Sequence, residues 1–101
     1  MTPERTRMPI VRIEHSVPSF ERWKQAFDTD PADRKGSGVR RYEVFRLQDD
    51  PNYVMIDLEF DSTPEAEAFV EKMETIWGGA GKAVMQNPTA RIAEIVEAKE
   101  L

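Results

Sequence analysis

The stretch Tyr53-Val54-Met55-Ile56-Asp57-Leu58-Glu59-Phe60 decides the fold. Val54, Ile56, Leu58 and Phe60 alternate with Tyr53, Met55, Asp57 and Glu59, the period-2 pattern of a strand with one apolar face and one polar face. Thr63-Pro64-Glu65 follows at once and opens a helix. Thr63 is the expected N-cap, proline takes the first helical position, and first-turn carboxylates meet the positive end of the helix dipole. Phe69, Val70, Met73, Ile76 and Trp77 form the buried face of that helix. Gly78-Gly79 breaks it, with room for one more short turn over 80–86. Upstream, the turn Asp49-Asp50-Pro51-Asn52 joins this strand to another over about 39–47.

The pattern repeats toward both ends. A first strand over about 8–15 sends Val11, Ile13 and His15 to one side and Ile10, Arg12 and Glu14 to the other. Ser16-Val17-Pro18-Ser19 then opens a helix whose stripe is Phe20, Trp23 and Phe27, with Ala26 beside them. Asp28-Thr29-Asp30-Pro31 ends it, because the residue before a proline is driven out of the helical region. Residues 32–38 make a polar loop with Gly36-Ser37-Gly38 at its tip, and a last strand over about 89–97 follows Pro88. Strand, helix, strand, strand, helix, strand is the split βαβ order of a ferredoxin-like α+β domain. Right-handed crossovers put strands one and three at the centre of a four-stranded antiparallel sheet, with two and four outside. Two helices cover one face of that sheet, so the other must meet water or a partner.

At 101 residues the chain has room for one core. A single domain is expected over 8–101 after a disordered lead, 1–7. With 40% hydrophobic and 33% charged residues, the composition is that of an ordinary globular protein. A net charge of −5 argues against nucleic acid as a partner. The local cluster Arg34, Lys35, Arg40 and Arg41 reads as the solvated flank of the glycine loop. No apolar run is long enough to span a membrane. The start has no apolar signal-peptide core, so the cytoplasm is the expected location. Absence of cysteine removes disulfides and thiolate chemistry. With one histidine and no clustered ligands, neither a metal site nor a cofactor is expected.

Several segments together resemble the dimeric α+β barrel superfamily, in particular its antibiotic-biosynthesis-monooxygenase-like branch. They are Val11-Arg12-Ile13-Glu14-His15, Phe20-Glu21-Arg22-Trp23-Lys24-Gln25-Ala26-Phe27, the hairpin over 45–54, the helix opening over 62–69 and the last strand over 90–96. The similarity extends over about 8–97. It implies a homodimer formed through the open sheet faces and a pocket between sheet and helices. It also implies either a cofactor-free monooxygenase or cyclase acting on an aromatic or polyketide-like molecule, or a non-catalytic ligand-binding or stress-associated dimer. Haem-degrading relatives carry a histidine on the second helix, and this chain has none there.

His15 is the only histidine and the candidate acid/base. Its parity points it toward the helices, at a strand end where both helices are expected to begin, which favours a neutral ring. The same position also suits a cap on the core edge or a bond to a helix-start backbone group. Trp23, Trp77, Tyr42 and Phe20 are candidate pocket walls for a planar ligand or, at the same spacing, plain core. Asp57 and Glu59 share the open face with Arg12, Glu14 and Arg91. If Leu47 pairs with Tyr53, then Glu43 lies opposite Asp57 and Arg41 opposite Glu59; a register one residue away would swap the faces of strand two. These charges imply ion pairs across a dimer, with Ile10, Tyr53, Met55 and Phe45 between them, or a hydrated face. Gly78-Gly79-Ala80-Gly81-Lys82-Ala83 imitates a phosphate loop but follows a helix and has the wrong glycine spacing.

Overall fold

The computed structural model describes residues 8–78 and 86–101. Its elements are β1 (Pro9–Ser16), α1 (Phe20–Asp28), β2 (Arg41–Leu47), β3 (Asp50–Glu59), α2 (Thr63–Trp77) and β4 (Gln86–Glu94). The strands form one sheet in the order β2-β3-β1-β4, with every neighbouring pair antiparallel. The expected lead over 1–7 lies outside the described residues, as do all but Gln86 of the short turn considered over 80–86 and all of the glycine-rich mimic beyond Gly78.

β1 and β3 pair Val11 with Leu58, Ile13 with Ile56 and His15 with Val54, so both alternations put their apolar sides on the same face. All six residues are at most 4% exposed. α1 lies against β3, and α2 against β1 and β4. Phe60 and Phe69 close the core at 5.3 Å between ring centroids, joining the end of β3 to α2.

Several boundaries differ from the sequence expectation, each for a physical reason. α2 is capped by Ser62, not Thr63. Ser62 Oγ accepts from the Glu65 backbone N–H at 3.3 Å and donates to the Glu65 carboxylate at 3.2 Å. That reciprocal box needs a carboxylate three residues on, which Ser62 has and Thr63 lacks. β3 begins at Asp50, so the turn shrinks to Gln48-Asp49, and Leu47 pairs with Asp50. The register then shifts, and from Arg46 onward Glu43 faces Asp57 and Arg41 faces Glu59. Pro51, with no N–H to give, falls within this irregularity. Asn52 is drawn into the fold: its carbonyl accepts from Val17 N–H at 2.8 Å and its side chain accepts from Phe20 N–H at 3.2 Å. β4 starts earlier than expected and contains Pro88, tolerated because β4 is an edge strand.

The face away from the helices carries an ion-pair ladder. Arg12 grips Asp57 through two bonds of 2.7 and 2.8 Å. Glu14 accepts from Tyr53 hydroxyl at 2.9 Å and from Arg91 at 3.2 Å. Arg12 and Arg91 are direct cross-strand neighbours, a repulsive pairing that Asp57 and Glu14 offset. Among the described residues, no helix is long and apolar enough to cross a membrane.

The fully buried Phe60 and its partner Phe69 should each cost about 3–5 kcal/mol when cut to alanine. Chemical denaturation measures this. Losses below about 1 kcal/mol at both positions would contradict the packing of α2 on the central strands.

Candidate functional site

Strand parity alone carries His15 inward, and its surroundings set its chemistry. The ring is 2% exposed. On one side it pairs with Val54, while on the other the β1–β4 ladder shifts between Glu14 and Ser16, leaving His15 at a bulge. Bulges re-aim side chains and are frequent beside active sites. Neither Nδ1 nor Nε2 has a hydrogen-bond partner. Burial pushes the imidazole pKa below 6.5, and the neighbouring Ser16 backbone, without a well-formed hydrogen bond, opposes this only weakly.

α1 supplies the aromatic wall. Ser19 caps it by accepting from Arg22 N–H at 3.3 Å, and the Asn52 contact fixes where the first turn starts. Trp23 is thereby set 5.7 Å from the His15 ring and stacks on Phe27 at 5.0 Å and 26°. A cavity of 230 Å³ opens between this wall and the sheet residues Ile13 and Ile56. Met73, Ile76 and Trp77 of α2 close it. Trp77 Nε1 is also buried without a partner.

The direction of α2 corrects one electrostatic expectation. β3 ends beside the start of β1, with Glu59 opposite Ile10, so α2 begins at the end of the sheet remote from His15. It brings its last residues, Ile76 and Trp77, to the cavity. Only α1 starts on the His15 side. The ring is held neutral by burial rather than by two helix dipoles.

The cavity thus joins His15, Trp23 and Trp77. Phe20 and Tyr42 lie outside its lining. Phe20 packs on Trp23 at 5.8 Å beneath Arg46. Tyr42, on the edge strand β2, is 44% exposed and meets Phe27 edge-on at 5.4 Å.

Arg34 is the residue that composition misread. Instead of flanking a solvated loop, its side chain is 14% exposed, lies 3.9 Å over the Phe27 ring and lines the cavity. Asp30 lies four residues earlier, but past the end of α1, where that spacing is no ion-pair signal. Arg40 pairs with Asp61 and Arg41 with Glu59. No group of three or more potential metal ligands occurs among the described residues.

No family model and no curated protein matches this chain. Solved structures do. A dimeric ferredoxin-like protein from an uncultured marine organism superposes with TM-score 0.68 at 12% identity, over 98% of this chain and 96% of its own. A protein of unknown function from Nitrosomonas europaea gives TM-score 0.68 at 13% identity, over 96% and 97%. A candidate antibiotic biosynthesis monooxygenase from the same organism gives 0.67 at 16%, over 88% and 90%. Identities this low speak to architecture, and the architecture agrees over nearly full length in both directions. The chain has the ferredoxin-like α+β fold of these dimeric and antibiotic-biosynthesis-monooxygenase-like structures.

Proposed function

We propose that this protein binds a small, planar, mostly apolar molecule bearing a hydroxyl or enol in the cavity, and that His15 takes its proton. The observation that carries this reading is a neutral imidazole, 2% exposed, with no protein partner for either nitrogen, in the wall of an aromatic cavity. A buried polar atom without a partner costs about 1–3 kcal/mol, so its retention at a cavity points to a partner brought by a ligand. Trp23 and Phe27 offer stacking surface, and Trp77 offers an N–H to a carbonyl.

Size narrows the ligand class. An apolar cavity of about 150 Å³ accepts benzene. At 230 Å³ this one suits a substituted single ring or a small fused pair. The chemistry that fits is the cofactor-free monooxygenase or cyclase type. There the substrate carbanion itself donates electrons to dioxygen, and the protein contributes deprotonation, orientation and exclusion of water. A second reading, binding without turnover, is favoured by the predominantly apolar lining, in which His15 is, among the described residues, the only group suited to take up a proton near neutral pH.

The open sheet face supports a homodimer. Ile10, Tyr53 and Met55 are half-buried there and Phe45 is 40% exposed, among ion pairs already satisfied within one chain. Two such faces burying about 1,600 Å² would make a standard interface. Light scattering at micromolar concentration is expected to return twice 11.6 kDa. A mass that stays at one chain across the concentration range would exclude the dimer.

His15→Leu separates function from structure. Because His15 makes no hydrogen bond in the protein, an apolar residue of similar size should leave thermal stability equal or higher. Binding and any turnover should vanish. A mutant that melts much earlier would instead identify His15 as a structural cap.

Stability should also depend on pH through this ring. Its folded pKa lies below the unfolded 6.5, so on acidification the unfolded chain takes up the proton first. Stability is therefore full above about pH 6.5 and is lost as pH falls toward the folded value. Melting curves from about pH 7 to about pH 5 should show this slope in the wild type and less of it in His15→Leu.

A further inference from the structure

Among the described residues lining the cavity, Arg34 is the one permanently charged side chain, and no carboxylate joins it there. The guanidinium is fixed from several directions. Its carbon sits 3.9 Å over Phe27 and 4.9 Å from the Tyr42 ring, and Nη1 donates to the Phe27 carbonyl at 2.8 Å. Nε lies 3.3 Å from Asp30, whose carboxylate also accepts from the Arg34 backbone N–H at 2.9 Å. The loop behind it is tied to α2 by Lys72, which donates to Ala32 carbonyl at 3.1 Å and to Ser37 hydroxyl. Asp30 is 37% exposed, so its charge is more strongly screened by water than that of Arg34 at 14%.

The apolar wall thus holds a cation whose carboxylate partner, Asp30, lies outside the cavity lining and is the more exposed of the two. An anionic oxygen on a bound molecule would give this cation a second, less screened partner. We infer that Arg34 makes this site selective for ligands held as monoanions, the phenolates or enolates of the acidic molecules proposed above. The O–H bond breaks, its electron pair stays on the ligand oxygen opposite Arg34, and the proton passes to a lone pair of His15. Since burial disfavours the imidazolium, the proton then leaves for solvent, and the ligand anion shares Arg34 with Asp30. This inference rests on the cavity being a ligand site.

Two probes of nearly equal shape test it: 4-nitrophenolate, at a pH where it is ionised in solution, and nitrobenzene. Quenching of tryptophan fluorescence reports both, because Trp23 and Trp77 line the cavity. The wild type should prefer the anion. Arg34→Gln should cut the ratio of the two affinities about tenfold, the equivalent of one pKa unit, and Arg34→Lys should keep most of it. Asp30→Asn removes the competing carboxylate at a left-handed position that asparagine tolerates, φ 56°, and should raise the ratio. An unchanged ratio in Arg34→Gln, or a parallel loss of both affinities, would overturn the charge selectivity and reduce Arg34 to a loop brace. Nitrobenzene bound in preference to the anion by the wild type would overturn the selectivity but leave the ligand site standing. If neither probe binds the wild type, the ligand site and this inference fall together.

Discussion

Everything in this molecule hangs on the register between the two central strands. Val11 against Leu58, Ile13 against Ile56 and His15 against Val54 put the buried apolar set of both strands on one face, leaving Ile10, Tyr53 and Met55 on the other. A slip of one residue would turn one strand's set to solvent and bring either Arg12 and Glu14 or Asp57 and Glu59 under the helices. The cost of unpaired buried charge, several kcal/mol each, makes that alternative inaccessible. The same constraint places His15. It is buried because it occupies the last inward position of β1, and a neutral ring is the protonation state that position allows at low cost.

The site is therefore one of stored imbalance in a well-packed domain. His15 and Trp77 give up hydrogen bonds to water without regaining them from protein, while Arg34 holds a charge over aromatic faces. The unmade hydrogen bonds are unfavourable for folding alone, whereas the Arg34 charge is held by ring faces, a carbonyl and Asp30; a molecule with matching groups in the cavity would satisfy the former. Proteins tolerate such losses at working sites, where stability and activity trade against each other. The ladder on the opposite face works differently: Arg12 with Asp57, and Glu14 with Tyr53 and Arg91, are satisfied within one chain.

Much of this architecture was legible from period and punctuation. The alternation of 53–60, the stripe of Phe20, Trp23 and Phe27, and the order of elements specify the sheet, its central strands and the inward direction of His15. What was not legible depended on contacts between distant segments. The start of β3 moved because Asn52 bonds to Val17 and Phe20, which no local turn rule contains. The cap moved to Ser62 because a reciprocal bond to Glu65 outweighs the bare preference for threonine before proline. Arg34 escaped notice because a charge in a glycine-flanked loop is ordinarily solvated, and its aromatic cradle comes from Phe27 on α1 and Tyr42 on β2. Tyr42 was expected deeper, but an edge strand leaves it half open.

The Asn52 bridge has a consequence for motion. α1 has nine residues, below the length at which an isolated helix is stable in water. Its start is secured across 32 positions of sequence by a side chain near the turn of the β2–β3 hairpin. The cavity wall bearing Trp23 and Phe27 therefore draws its stability from core packing and from the hairpin contact rather than from the helix itself. Fraying at that end of the sheet would loosen the wall. A molecule stacked on Trp23 would, by the same linkage, slow hydrogen exchange in strands it never touches.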